Sequence, residues 1–224
     1  MSPEERQAVS DVLGNEYAVL MSALSAAWSA SLARTSIFIF SLSAGGVALG
    51  FVAQGGLDSA PFKTLALVVL PLVLFLGVAT FVRLVQVQRE CLVYIMGLNR
   101  IRHFFQDTVP ASRPYFVLPA YDDQLAMFRS VGTGMSRRPP RFRLAYLVVQ
   151  TQGIVGVVTA AVAAAFGGLA VATVGPAAVW LIAPAAFGAT LTGLFIYWQR
   201  SLAEIQGAIR PLHPTPPDEV DAPF

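Results

Sequence analysis

Runs of apolar residues free of charge divide the chain. Residues 35–57, between Arg34 and Asp58, contain no Asp, Glu, Lys or Arg and hold the stretch IFIFSLSAGGVALGFVAQ. A helix needs about 20 predominantly apolar residues to cross the hydrocarbon core of a bilayer, so a first span is predicted over 36–54. Residues 64–82, TLALVVLPLVLFLGVATFV, predict a second over 64–83, with Pro71 as a site for a kink. The longest uncharged run, 144–199, is too long for one crossing. Glycine ends helices and proline begins them, so Val174-Gly175-Pro176 divides this run into spans over 146–172 and 177–198. Both connections are short, and short connections make antiparallel neighbours.

Helical periodicity continues outside the spans. Ser2-Pro3-Glu4-Glu5 has the form of a capping box with proline at the first helical position. Apolar residues then recur at Val9, Leu13, Tyr17, Leu20, Leu24, Trp28 and Leu32, which predicts one long helix from 3 to 54, weakened only at Gly14. Beyond the second span Leu84, Val87, Cys91, Ile95, Leu98, Ile101 and Phe105 form a matching stripe, with Arg89, Glu90, Asn99, Arg100 and Gln106 off it. At 1.5 Å per residue, 83–109 would project roughly 40 Å from the membrane, and the two stripes should pack together. Five prolines between Pro110 and Pro140 break the regularity, apart from a short helix capped at Tyr121-Asp122-Asp123-Gln124. The segment after Arg210, PLHPTPPDEVDAPF, is proline-rich and acidic and is expected to be disordered.

The expected fold is therefore all-α and integral to a membrane, with four transmembrane helices in two hairpins and long cytoplasmic helical extensions of the first. Its divisions are a long-helix hairpin over 1–109, a Pro/Arg-rich connector over 110–143, a second hairpin over 144–199 and a tail over 200–224. Composition agrees: hydrophobic residues are 55% and charged residues 12%, against about 25% in soluble domains. Orientation follows from the basic residues. The segment 83–143 holds Arg83, Arg89, Arg100, Arg102, Arg113, Arg129, Arg137, Arg138, Arg141 and Arg143, whereas the two hairpin turns hold only Lys63. Positive flanks stay inside, which places this segment and both termini in the cytoplasm of a cell with the protein in its plasma membrane. Tyr146, Tyr197 and Trp198 are expected as interfacial anchors. Acidic residues near Met1 argue against a cleavable signal, so the first span would also direct insertion.

Candidate chemistry is sparse. The single cysteine, Cys91, excludes an internal disulfide and a four-thiolate metal site. Arg100, Arg102 and His103 offer a possible anion contact, and His103 with Asp107 has the spacing of a base and its orienter. A solvated helix face accounts for the same residues, and no nucleophile or carboxylate dyad completes a catalytic site. Asp122-Asp123 reads as helix capping rather than a metal site, and no cofactor is implied. Arg137, Arg138, Arg141 and Arg143 precede the third span, where they would hold the segment inside and contact anionic lipid headgroups or a partner. Without an aromatic platform they do not make a nucleic-acid surface. Within the spans, Gly46 and Gly50, and Gly156, Ala160, Ala164 and Gly168, form small-residue faces suited to close helix packing. The span interiors lack Asp, Glu, His, Lys and Arg, which disfavours ion-coupled transport and voltage sensing.

Arg34-Thr35-Ser36-Ile37-Phe38, the span end from Gly45 to Gln54, and Arg83-Leu84 leading to Tyr94 and Asn99-Arg100-Ile101-Arg102 carry a resemblance. In layout, residues 3–109 resemble the SLATT class of bacterial two-helix membrane effectors. The resemblance implies an oligomeric component of a defence or stress system that perturbs the bilayer, and the second hairpin, 144–198, departs from it. Two readings follow. One is a homo-oligomeric, channel-like or pore-forming membrane protein, gated by a charge-free constriction. The other is a non-conducting scaffold or accessory subunit that docks a cytoplasmic protein through 83–143.

Overall fold

The computed structural model describes residues 2–131, 150–172, 175–208 and 210–217. Its helices are α1 (Pro3–Ala53), α2 (Ala60–Thr108), a 3-10 turn (Pro110–Tyr115), α3 (Gln124–Ser130), α4 (Thr151–Val171) and α5 (Pro176–Ala208), with no strand among the described residues. Four of them, α1, α2, α4 and α5, are long and apolar enough to cross a membrane.

The local signals at the helix ends act as the sequence predicts. Ser2 and Glu5 satisfy each other's backbone donors: the Ser2 amide donates to Glu5 Oε2 at 2.7 Å and the Glu5 amide to Ser2 Oγ at 3.1 Å. This closes a capping box at the start of α1. The turn between α1 and α2 passes through Gly56 at φ +102°, a conformation that a side chain would oppose, and Gly175 at φ +139° immediately precedes Pro176 at the first position of α5. The α2 helix runs through Pro71 and α5 through Pro184.

The chain divides into two compact units, 1–29 with 87–143 and 202–224, and 30–86 with 144–201. In the second unit, Phe38 of α1, Gly77 of α2 and Thr159 of α4 meet so closely that a Cβ on Gly77 would overlap the Thr159 hydroxyl. Phe38 and Thr159 are fully buried, and Thr159 Oγ1 donates to the Val155 carbonyl at 2.7 Å, satisfying a hydroxyl that has no water to meet. Gly156 lies against Phe81, and Gly168 against Ala183 and Val179, so these two small residues of α4 admit neighbouring helices. Ala160 is buried and Ala164 half-buried. On α1 the packed glycine is Gly45, where a Cβ would stand 2.9 Å from Val69 Cγ1 of α2, while Gly46 and Gly50 have nothing within 4 Å.

Trp198, expected as an interfacial anchor, is buried in the protein. It is 3% exposed and packs edge-on against Phe195 at 6.4 Å, so it belongs to the interior of its unit. Tyr197 remains exposed, as does Trp180 near the start of α5, and Tyr146 lies outside the described residues.

The first unit is built from pieces far apart in sequence. Its apolar centre joins Leu92 and Ile95 of α2 with Met127 of α3 and Ile205 of α5, and Leu24, Met96 and Leu202 pack against them. The expected contact between the two amphipathic stripes is present: a Cβ on Gly97 of α2 would stand 2.9 Å from Leu20 Cδ1 of α1. The outer positions of the α1 stripe, Val9, Trp28 and Leu32, are nevertheless exposed. Leu13, Tyr17, Leu20 and Leu24 of the stripe are half-buried together with Ser10, Ala23 and Ala27, so the inward line of α1 mixes large and small residues.

Candidate functional site

The densest polar cluster in the described residues lies in the first unit, where one turn of α2, the loop leading into α3 and the segment after α5 converge. Asn99 and Arg102 sit on the buried side of α2. Asn99 was expected off the apolar stripe but is 0% exposed, and Arg102 is 5% exposed. A buried amide is tolerated only when its polar atoms find partners. Asn99 Nδ2 donates to the Tyr121 carbonyl at 2.7 Å, while its Oδ1 accepts from Arg102 Nη1 at 2.6 Å and lies 3.2 Å from the Ser130 hydroxyl. The Arg102 guanidinium also stands over the Tyr17 ring at 5.8 Å, which gives the cation an aromatic face as well as an acceptor.

Asp122 is the centre of the second layer. Its carboxylate is 0% exposed and accepts from Arg100 Nε at 2.6 Å, from the Leu212 amide at 2.9 Å and from the His213 amide at 2.8 Å. The Asp122 amide in turn donates to the His213 carbonyl at 3.1 Å, and Arg100 Nη2 donates to the Arg210 carbonyl at 3.1 Å. Burial pushes the Asp122 pKa up, but the bonds from the Leu212 amide, the Arg100 side chain and the His213 amide outweigh it and hold the carboxyl below its ordinary value of 3.8.

The neighbouring Asp123 performs two tasks. It is the N-cap of α3, accepting from the Ala126 amide at 2.9 Å, and it also accepts from the Thr215 amide at 3.0 Å and the Thr215 hydroxyl at 2.9 Å. The acidic pair read as capping thus divides its work: one carboxylate caps, and both hold the chain after α5. The tail was expected to be disordered from its composition, yet residues 210–217 are held in place. Composition reports only how little apolar surface a segment can bury, and here the fixing groups are carboxylates some 90 residues away.

His103 completes the cluster. Its ring stacks on His213 with centroids 3.8 Å apart and planes inclined by 22°, and lies 5.9 Å from the Tyr121 ring. His103 Nε2 is 3.3 Å from Asp107 Oδ2, and Asp107 Oδ1 is 3.2 Å from Arg113 Nη2. Burial lowers the His103 pKa below 6.5 and the His213 ring lowers it further; Asp107 and Asp122 oppose this, and Arg113 adds to it.

Of the residues expected to contact an anion, Arg100 and Arg102 are therefore engaged inside the protein, with Asp122 and Asn99, and His103 is stacked. Arg137, Arg138, Arg141 and Arg143 lie outside the described residues. No buried side-chain nitrogen or oxygen lacks a partner among the described residues, and no group of three or more His, Cys, Asp or Glu there is arranged for a metal. The bonds of this cluster join α2, the loop before α3 and the segment after α5. Sequence reasoning missed Asn99, Asp122, His213 and Thr215 as members of one site. The available signal was the Asp-Asp pair facing a tail with few backbone donors, but nothing in the sequence links the two. No known protein family, curated protein or solved structure matches the chain.

Proposed function

We propose that the protein is a multi-pass protein of the plasma membrane, with both termini and the arginine-rich segment in the cytoplasm, that assembles into a channel-like homo-oligomer through α1. The observation that carries the assembly is the open face at Gly46 and Gly50, where a side chain would meet nothing within 4 Å. Lipid tails give small residues no advantage on an outer face, whereas a second helix gains close backbone approach there. Gly45, one position away, is already used by α2, so α1 has separate glycines for a neighbour within the chain and for one outside it. The charge-free span interiors support a pore that closes by dewetting, and the SLATT-like layout of 3–109 points to the same class.

The test is reconstitution into nanodiscs for size and into liposomes for flux. An oligomer that passes ions or a small dye, and that Gly46→Leu with Gly50→Leu reduces to monomers without flux, is the expected result. A wild-type monomer that passes neither overturns the reading. The scaffold reading has its own support in Val109, Tyr115, Val117 and Leu118, exposed apolar side chains in the loop beyond α2. An oligomer without flux that retains a cytoplasmic protein through this loop would select it.

A further inference from the structure

The tail is held by an unusual economy of donors. Proline has no backbone N–H, and the run Pro211-Leu212-His213-Pro214-Thr215-Pro216-Pro217 therefore has N–H groups only at Leu212, His213 and Thr215. All three donate to Asp122 or Asp123. No amide in this run is left to bind elsewhere, and a bend at Leu212–His213 brings two successive amides onto the Asp122 carboxylate while Thr215 reaches Asp123.

The only side-chain ring contact that the tail makes among the described residues is the stack of His213 on His103. We propose that Arg210–Pro217 is an acid-released latch, held closed in part by the stack of the His213 ring on a neutral His103 and opened when His103 becomes an imidazolium.

The charges around the pair set the direction. From α2, Asp107 faces His103 at 3.3 Å; from the 3-10 turn comes Arg113; from the loop before α3 come Tyr121 and Asp122; and from the tail comes His213. Asp107 and Asp122 favour an imidazolium, but each also pairs with a cation, Asp107 with Arg113 at 3.2 Å and Asp122 with Arg100 at 2.6 Å. Burial of His103 and the His213 ring 3.8 Å from it outweigh the pull of these carboxylates, so a proton on His103 is disfavoured while the stack is closed. His103 is also mostly withdrawn from water, which favours its neutral form, and its pKa lies below 6.5 in the closed state. A group with a lowered pKa binds its proton more tightly once it is released. The closed state thus carries no penalty well above pH 6.5 and loses stability as the pH falls below it. Asp122 acts in the same direction at lower pH, because its lowered pKa stabilises the closed state above 3.8 and that contribution disappears as the carboxylate protonates.

The latch belongs to one unit of the chain and its action does not depend on whether the assembly conducts. The test places spin labels at Val117→Cys and Leu212→Cys in a Cys91→Ala background, both at exposed side chains whose loss spares the tail's backbone bonds. Electron–electron distance measurements at pH 7.5 and pH 5.5 on the full chain in nanodiscs read the latch. A single narrow distance at pH 7.5 and a several-fold rise in the broad, open population at pH 5.5 are expected. Replacing both rings, His103→Phe with His213→Phe, keeps an aromatic stack without protons and should hold the narrow distance at both pH values. Should that variant be open already at pH 7.5, the wild-type His103 resonance decides, because its titration midpoint must coincide with the opening midpoint. An unchanged wild-type distance, the same acid opening in the closed double variant, or midpoints that do not coincide would each overturn the proposal.

Discussion

Asp122→Ala removes the acceptor at the centre of the cluster and should free the tail without unfolding its unit. The carboxylate takes three hydrogen bonds, from Arg100 and from the Leu212 and His213 amides, and is wholly buried. A hydrogen bond to a charged group contributes about 1.5–3 kcal/mol. Arg100 is about one-third exposed and regains water when its partner goes, so its share is largely recovered. The two tail amides also reach water, but only by leaving the cluster, and taking the lower bound for each gives about 3 kcal/mol of docking free energy lost. At 1.4 kcal/mol per factor of ten, the docking equilibrium shifts by roughly 150-fold. Hydrogen exchange at pH 7.5 measures this directly: protection at Leu212, His213 and Thr215 should fall by about that factor while Leu92 and Ile95 in the apolar centre stay protected. Tail protection within about threefold of wild type would refute the reasoning, because the carboxylate would then be a bystander to docking.

Other substitutions probe the remaining layers. Asn99→Ala leaves the Tyr121 carbonyl and the Arg102 guanidinium without their buried partner, and denaturant unfolding in detergent should show a loss of about 2–4 kcal/mol. Gly77→Ala forces a methyl group against Thr159 and Phe38 and should cost about 1–3 kcal/mol, whereas Gly14→Ala, with nothing within 4 Å, should be neutral or stabilise by up to about 1 kcal/mol; thermal unfolding of the pair checks the contrast. In a Cys91→Ala background, cysteines at Gln54 or Gly55 should react with an impermeant thiol reagent in intact cells, and one at Ser112 only after lysis; labelling of Ser112 in intact cells reverses the proposed orientation.

What could be read from the sequence is what short-range chemistry decides. The Ser2–Glu5 capping box, the Gly175-Pro176 break and the four long apolar helices each follow from residues within a few positions of one another. The first unit was less legible for the opposite reason. Asn99 looks like a surface residue on any helical wheel and is buried because Tyr121 and Ser130, reached through a proline-rich loop, come to meet its amide. His213 and Thr215 belong to a segment whose composition points to disorder, and their partners lie beyond two long helices in sequence. The burial of Trp198 was not legible because an aromatic residue near the end of an apolar run has the same local pattern whether or not other side chains cover it.

The discontinuous make-up of the first unit bears on how the chain is made. Its pieces lie at 1–29, 87–143 and 202–224, with the second unit encoded in the gaps. Asp122 is translated 90 residues ahead of its Leu212 donor. At about 5–20 residues per second, that carboxylate spends roughly 5–18 s on the ribosome before the amide that needs it exists. Nascent chains therefore carry Asp122 with Arg100 as its available partner, and the cluster closes only after α4 and α5 have both been made.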